Sequence, residues 1–295
     1  MMSAIEWKVA GSRRDLTKRA MLMGVLNVTP DSFSDGGQFF ATEAAVRHGM
    51  EMAQSGAEII DVGGESTRPG ADPVSPNEEM ERVLPVIEQL KAVSSLISID
   101  TSKAGVARVA LEAGATIIND VTGGRGDPEM LALAAETGAA LVIMHMQCTP
   151  RTMQINPTYR DVVAEVADFF RQQFELAIRS GIDPMCIAFD PGIGFGKTGA
   201  HNLELLANLS RLRVANRPLV VGVSRKSFLG KITGRETAER VAGTLATVVM
   251  GYERGARIFR VHDVAPARDA LAVAAATLAR AWPVTSPRTT KTTTT

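Results

Sequence analysis

The stretch Met185-Cys-Ile-Ala-Phe-Asp190-Pro-Gly-Ile-Gly-Phe-Gly-Lys197 decides the fold. Its apolar first half is typical of a buried β-strand. The strand must end at Asp190, because a proline and three glycines follow within the next six residues and favour an irregular loop. The unit is therefore an apolar strand, a polar residue at its end and a loop.

The same unit recurs along the chain. Further apolar runs lie at 21–26 before Asn27, 58–60 before Asp61, 96–99 before Asp100, 116–118 before Asn119 and Asp120, 141–144 before His145, 219–223 before Ser224, and 257–259 before Arg260 and His262. Segments with helical spacing of apolar residues lie between the strands, for example at 44–54, 78–93, 104–112, 161–178, 203–212 and 238–250.

Alternation of strands and helices requires crossover connections and predicts a parallel sheet. Eight such units in 295 residues fit an α/β fold, a single (β/α)8 TIM barrel whose strands all end at one face. The polar strand-end residues should therefore face one cavity. We predict one barrel domain over residues 1–284, with residues 1–20 closing its bottom or edge through a turn at 11–15, and a disordered low-complexity tail over residues 285–295.

Two segments are too long and too rich in glycine, proline and polar residues to be minimal strand-to-helix turns. They are residues 28–37, after the first predicted strand, and 63–76, after the second. We predict two mobile loops on the same rim of the barrel.

The bulk composition excludes several classes of function. A formal net charge of +0 and a pI near 6.9 provide no general basic field for nucleic acid or anionic membranes. Cys148 and Cys186 form no disulfide framework and suit a reducing compartment. The N-terminus lacks the pattern of a signal peptide, and no apolar run reaches membrane-spanning length. We expect a soluble cytoplasmic protein that acts on small molecules.

Cationic residues follow the last two predicted strands. Ser224-Arg225-Lys226 follows one and opens a helix, while Arg260 and His262 follow the other. Barrels often bind phosphate at this place, so the pattern indicates an anion site to which Arg68 of the second long loop could add a cation. The alternative is a solvated helix start.

The strand-end carboxylates and amide leave three roles open. Asp100, Asn119 and Asp190 could be metal ligands, catalytic bases or acceptors for the N–H groups of a heterocycle. Asp100 could also cap the following helix. Pro191 and Gly192 separate Asp190 from any helix, which makes capping a poor explanation there.

Other motifs do not fit known sites. Gly196-Lys197-Thr198 resembles the end of a P-loop, but Pro191 stands where that motif needs glycine. The histidines show no metal-binding spacing, and we expect His48 on a helix surface, His145 at a strand end and His201 at a helix start. A Schiff-base role for Lys226 is less favoured than anion binding, because an arginine adjoins it.

Eight motifs together resemble the bacterial dihydropteroate synthases of the pterin-binding family. They are Asn27-Val-Thr-Pro-Asp-Ser-Phe-Ser-Asp-Gly-Gly, Asp61-Val-Gly-Gly-Glu-Ser-Thr-Arg-Pro-Gly, Ser98-Ile-Asp-Thr, Ile118-Asn-Asp, Met144-His-Met-Gln, Asp190-Pro-Gly-Ile-Gly-Phe-Gly-Lys, Gly222-Val-Ser-Arg-Lys-Ser-Phe-Leu-Gly and Arg260-Val-His-Asp-Val. The match runs from about the first predicted strand to the last helix, and the first two motifs are long and specific.

The resemblance implies an enzyme of folate synthesis. Such an enzyme joins 6-hydroxymethyl-7,8-dihydropterin diphosphate to 4-aminobenzoate and releases diphosphate, with Mg²⁺ as cofactor. It is a homodimer and the target of sulfonamides, which mimic the aminobenzoate. A related barrel that passes a methyl group from a folate to a corrinoid, and a pterin carrier without turnover, are the alternatives. The first would leave Asn27, Arg68 and the first long loop unexplained.

The resemblance also implies roles for residues. The pterin would be held by Asp100, Asn119, Asp190 and Lys226, in a slot lined by Met144 and Phe195. Mg²⁺ would be bound by Asn27, and the diphosphate by Thr67, Arg260 and His262. The aminobenzoate would be surrounded by Phe33, Thr67, Arg68, Ser224 and Lys226. Lys226, Asp100 and Arg260 are the expected catalytic residues.

One residue departs from the family pattern. Cys148 stands where the family has glycine, and a residue with a side chain resists positive φ.

Physical chemistry favours a dissociative displacement. An electron-rich dihydropterin can stabilise a methylene cation once the charge of the leaving diphosphate is neutralised. The aminobenzoate carboxylate would then sit at the helix N-terminus opened by Ser224.

Overall fold

Apolar runs become strands here because both faces of each strand are covered, by helices outside the barrel and by side chains inside it. The computed structural model describes residues 4–29, 37–67, 70–93, 95–149 and 151–280, and in these ranges eight parallel strands form one sheet. After an N-terminal hairpin of β1 (Glu6–Val9) and β2 (Ser12–Asp15), the barrel strands are β3 (Met21–Asn27), β4 (Ile59–Gly63), β5 (Leu96–Asp100), β6 (Ile117–Asp120), β7 (Ala140–Met144), β8 (Ile187–Asp190), β9 (Val220–Val221) and β10 (Ile258–Val261).

The strands are ordered β8-β7-β6-β5-β4-β3-β10-β9, and the two ends of this row meet. Phe189 of β8 forms a parallel bridge with Leu219, just before β9. The Phe189 N–H also donates to the Pro218 carbonyl at 3.0 Å. The sheet therefore closes on itself, and the predicted TIM barrel is confirmed.

Helices cover the outside of the barrel. Within the described residues they are α1 (Gly37–Ser55), α2 (Pro76–Leu90), α3 (Ala104–Ala113), α4 (Met130–Thr137), α5 (Val162–Arg179), α6 (Gly199–Ala207), α7 (Ser227–Thr233), α8 (Val241–Glu253) and α9 (Val264–Ala279). The predicted helix at 203–212 is split, because α6 ends at Ala207 and a 3-10 turn follows over Leu209–Leu212. Local chemistry sets several starts, as where the Asp161 side chain accepts hydrogen bonds from the first turn of α5.

The N-terminal hairpin plugs the bottom of the barrel, as predicted. Its apolar side chains pack against the residues that begin the barrel strands, among them Met21, Ile59, Ile117, Ala140 and Ile258. The indole N–H of Trp7 donates to the Cys186 carbonyl at 3.0 Å, at the start of β8. The amino-terminal ends of the strands are thereby covered.

The predicted turn at residues 11–15 is wrong. Ser12–Asp15 is strand β2, and its partner residues run from Glu6 opposite Asp15 to Val9 opposite Ser12. The turn lies at Ala10 and Gly11, which both have positive φ, at 49° and 71°. Two such residues form the tight turn that joins antiparallel strands.

Residues 30–36 and 68–69 of the two predicted mobile loops, and all of the predicted tail at 285–295, lie outside the described residues. Those predictions stay predictions. None of the described helices combines the length and apolarity needed to cross a membrane.

Candidate active site

The polar strand-end residues meet at the carboxyl end of the barrel. The sheet register pairs Asn27 with Gly63, Gly63 with Asp100, Asp100 with Asn119 and, on the far side, Met144 with Asp190. Asp100, Asn119 and Asp190 are all buried. The expectation that these separate sequence motifs meet at one end of the barrel is therefore confirmed by the register.

Arg260 lies at the centre of the site, within β10 rather than after it. Its Nε is 2.6 Å from Asp61 Oδ2, and its Nη2 is 2.7 Å from Asp100 Oδ2. The Asn119 amide also donates to Asp61 Oδ2, at 3.1 Å. Asp61 received no role from the sequence, although its predicted position at a strand end matched that of Asp100 and was the signal available; in the structure it lies in the middle of β4.

Two carboxylates thus share one guanidinium. Burial raises the pKa of Asp100 to about 7, with Arg260 opposing the rise and Asp61 adding to it. The same pair of carboxylates raises the pKa of Arg260, which stays charged. Asp100 Oδ1 is buried and has no hydrogen-bond partner among the described residues. The helix-capping alternative fails, because α3 has no side-chain cap.

Asp190 ends the strand that decided the fold. Its Oδ1 accepts a hydrogen bond from the Gly192 N–H at 2.7 Å. Burial raises the pKa of Asp190 to about 6, while that hydrogen bond and the charge of Lys226 lower it. At neutral pH Asp190 therefore acts chiefly as an ionised acceptor.

Lys226 and Phe195 lie together. The Lys226 ammonium is 4.0 Å from the centre of the Phe195 ring, which is a cation–π distance. Burial and then the charge of Arg260 lower the pKa of Lys226 to about 8, against the attraction of Asp190 and Asp100. The ring of Phe195 packs against an apolar cluster that includes Met144, and the predicted apolar slot between these two residues stays a prediction. The cluster also contains Val121, Met146 and Met153, to which the sequence analysis gave no role.

The predicted anion cluster at 224–226 needs correction. Helix α7 begins at Ser227, with Lys226 as its N-cap, so Ser224 does not open the helix. The Arg225 guanidinium is paired with both carboxylate oxygens of Asp263, at 3.1 and 2.6 Å. Arg225 is thus committed to a partner 38 residues away, which leaves Lys226 as the cation of this stretch.

Ser224 instead contacts His262. Its hydroxyl is 2.9 Å from His262 Nδ1 and accepts from the His262 backbone N–H at 3.2 Å. Burial, together with the charges of Arg260 and Arg225, lowers the pKa of His262 to about 4. His262 is therefore neutral at physiological pH in the free protein.

The remaining predicted residues are placed only in part. Thr67 and Asn27 are half-buried, and Asn27 lies beside the strand that leads to the loop of Thr67. Phe33 and Arg68 lie outside the described residues. No group of three or more histidine, cysteine or acidic side chains that could hold a metal occurs in the described ranges.

Cys148 has a φ of 62°, in the left-handed region that favours glycine. The loop therefore takes positive φ at the position where the family resemblance predicts glycine, although Cys148 carries a side chain.

The comparisons with known proteins agree with this geometry. A family model described as pterin binding enzyme matches residues 23–262. A dihydropteroate synthase of Synechocystis sp. is 49% identical over 252 residues, which cover 85% of this chain and 87% of the relative. One from Escherichia coli (strain K12) is 48% identical over 258 residues, covering 87% and 91%.

Solved structures give the same result. A Xanthomonas albilineans dihydropteroate synthase with 4-aminobenzoic acid superposes with a TM-score of 0.87 at 45% identity, covering 95% of this chain and 100% of that one. A Yersinia pestis dihydropteroate synthase with a sulfonamide drug complex gives a TM-score of 0.87 at 43% identity, covering 93% and 100%. The chain belongs to the pterin-binding enzymes and, among them, to the dihydropteroate synthases, as the motifs predicted.

Proposed function

We propose that this chain is a transferase that condenses 6-hydroxymethyl-7,8-dihydropterin diphosphate with 4-aminobenzoate to give 7,8-dihydropteroate and diphosphate in folate synthesis. The observation that carries the proposal is the set of buried acceptors at the carboxyl end of the barrel. Asp190 is buried near the charge of Lys226 and is chiefly ionised at neutral pH, and Asp100 Oδ1 has no partner within the described ranges. Family membership supports the same reaction.

The pterin edge matches these acceptors. A 2-amino-4-oxo pterin presents adjacent N–H groups, and an ionised carboxylate accepts two such bonds. Asp190 would take this edge, while Asp100 Oδ1 and Asn119 would meet the polar atoms further along the ring. Lys226 would donate to a ring nitrogen or oxygen, and the apolar slot of Met144 and Phe195 would hold the ring faces.

Neutralising the charge on the leaving diphosphate is the second requirement of the reaction. The bond between the methylene carbon and the diphosphate oxygen breaks, and its electron pair leaves with the diphosphate. Arg260 uses its Nε and Nη2 for Asp61 and Asp100, which leaves further N–H donors of the guanidinium for an oxyanion. His262 is neutral and would donate through its Nε2–H, since Nδ1 faces Ser224. Thr67 would add a hydroxyl to the same group.

The acceptor attacks after the cation has formed. The aminobenzoate nitrogen gives its lone pair to the methylene carbon and then loses a proton to solvent. Lys226 and Ser224 would border the acceptor, with Thr67, Phe33 and Arg68 on the loop side. The structure of a relative with 4-aminobenzoic acid supports an acceptor site of this kind.

We also propose Mg²⁺ as cofactor, held by Asn27. This residue offers one amide oxygen at a strand end, and the nearby Asp61 is committed to Arg260. One protein oxygen fits an ion that takes its other ligands from phosphates and water, which Mg²⁺ commonly does. When bound, the ion would neutralise charge on the diphosphate. Full turnover in excess chelator would contradict this proposal.

A homodimer and a cytoplasmic location complete the proposal. Met250, Val273 and Leu278 of α8 and α9 are exposed by 44%, 69% and 53%, which is unusual for large apolar side chains. A second copy would cover them, and light scattering at micromolar concentration tests this, with a monomer as the contrary result. Two free thiols, at Cys148 and Cys186, suit a reducing compartment.

One assay tests the reaction itself. The purified chain is incubated with both substrates and Mg²⁺, and dihydropteroate and diphosphate are quantified together. We expect equal amounts of the two products and competition by a sulfonamide against 4-aminobenzoate. Pterin binding without diphosphate release would identify a carrier, and methyl transfer from a folate without diphosphate would identify a corrinoid methyltransferase. Either result overturns the proposal.

A further inference from the structure

Lys197 is a buried lysine to which the proposed reaction assigns no role. Its side chain is only 3% exposed, and its ammonium lies within hydrogen-bond distance of three acceptors. These are His145 Nδ1 at 3.0 Å, the His145 carbonyl at 3.2 Å and the Phe195 carbonyl at 2.9 Å. A lysine ammonium has three N–H donors, so each donor has one partner.

These contacts join two loops that are far apart in sequence. The loop after β7 begins at His145, and the loop after β8 covers residues 191–197. Gly192 has a φ of 64°, and a Cβ built there would lie 2.0 Å from the His145 carbonyl oxygen. The loops therefore pack backbone against backbone at Gly192, and the Lys197 ammonium bonds to the same carbonyl oxygen.

The loop at 191–197 connects two residues of the proposed pterin site. Asp190 precedes it and accepts from the Gly192 N–H, and Phe195 lies near its end with its ring against Lys226. The Lys197 ammonium donates to the carbonyl of Phe195 and to the carbonyl of His145. His145 directly follows β7, the strand that pairs with β8 and with Asp190 at its end.

Burial acts on both members of the contact between Lys197 and His145. Burial lowers the pKa of His145 to about 2, so its ring is neutral and Nδ1 can accept a hydrogen bond. Burial lowers the pKa of Lys197 to about 7, with repulsion from Lys226 and Arg125 opposed by attraction to Asp190. Among the described residues Lys197 is held by the three hydrogen bonds and forms no ion pair at contact distance.

We propose that Lys197 is a positioning residue, which fixes Asp190 and Phe195 for the pterin ring by tying the loop at 191–197 to His145. The inference rests on the proposed function for the identity of the ligand. It does not place Lys197 in contact with substrate. Displacing a binding group by about 1 Å can cost on the order of a hundredfold in rate, so a residue that acts only through the loop can matter as much as a direct contact.

The test compares Lys197→Met with Lys231→Met, which makes the same chemical change at an exposed lysine of α7. Calorimetry measures the affinity for 6-hydroxymethylpterin, and hydrogen exchange compares the segment 187–199 with α9. For Lys197→Met we expect a loss of pterin affinity of about tenfold or more, and faster exchange in 187–199 alone. Lys231→Met should match the wild type in both.

Two results overturn the inference. One is pterin affinity and loop exchange in Lys197→Met equal to those of Lys231→Met. The other is faster exchange in 187–199 and α9 alike, which would show general destabilisation. Should Lys197→Met fail to fold, Lys197→Gln, which keeps an amide donor, undergoes the same two measurements with the same criteria. If the wild-type protein binds no pterin, the proposed function is refuted instead. The hydrogen-exchange comparison then still shows whether Lys197 holds the loop at 191–197 in place.

Discussion

Asp190 carries the clearest prediction for a single residue. Its carboxylate already accepts from Gly192, and its remaining capacity is proposed for the pterin edge. Asp190→Asn replaces an acceptor by a group that must also donate, and the mismatch should cost roughly 1–3 kcal/mol of pterin binding while the fold persists. Calorimetry with a pterin measures the loss, and Asp269→Asn, at an exposed site on α9, is the control. Unchanged affinity would remove Asp190 from the site.

His262 provides a prediction about pH. In the unfolded chain it binds a proton below about pH 6.5, whereas the buried, folded residue stays neutral until its pKa of about 4. Between these values the unfolded state binds more protons, so stability falls as pH falls from 6.5 to 4. His262→Gln should remove part of this loss, on the order of 1–3 kcal/mol. Urea unfolding at pH 4.5 and pH 7.5 gives the comparison, and an equal acid loss in both proteins would contradict it.

The sequence identified single residues well where strand ends brought them together, and poorly where a partner was remote. Asp100, Asn119 and Asp190 converge as expected. Arg225 was assigned to an anion site because nothing near it in the chain shows that Asp263 holds it. Asp61 lies 199 residues from Arg260, and a pattern of strand ends contains no information about such pairs.

Among the elements, the loop after β8 depends on glycine. Gly192→Ala would force a Cβ to within 2.0 Å of the His145 carbonyl at a φ of 64°. The left-handed conformation and the clash should together cost about 2–4 kcal/mol of unfolding free energy. Gly105→Ala, in α3 with open space around the new methyl group, should instead stabilise by about 0.5–1 kcal/mol. Denaturant unfolding of both variants tests the pair, and a neutral Gly192→Ala would show that the loop can adjust.

The strands and helices that were predicted best are those whose apolar residues form a clear pattern in the sequence. Each barrel strand is a buried apolar run, and all eight were found within a few residues of their observed bounds. Strand β2 reads Ser-Arg-Arg-Asp and has no such signal, so its extended form comes from pairing with β1. Helix α4 is only 8 residues long, too short for periodicity to reveal, and the 7-residue α7 was predicted only as a helix start, three residues too early.

For the whole molecule, the hairpin plug should contribute a large share of stability. Trp7 is fully buried among residues from most of the barrel strands. Trp7→Ala should therefore cost about 3–5 kcal/mol, the usual range for removing a buried aromatic ring. Lys8→Ala, on the outward face of the same strand, should cost far less. Thermal and urea unfolding give the values, and a small loss at Trp7 would mean that the barrel closes without its plug.

The plug also has a consequence for how the protein is made. The hairpin leaves the ribosome before the barrel strands, but the Trp7 indole bonds to Cys186, which is 179 residues further along the chain. At a synthesis rate of about 5–20 residues per second, its place in the barrel is completed roughly 10–35 seconds later. During that interval the apolar side of the hairpin has no native surface to cover it. The hairpin of the nascent chain therefore exposes apolar side chains that can associate non-specifically. We expect chaperones that bind exposed apolar segments to act mainly on residues 5–16.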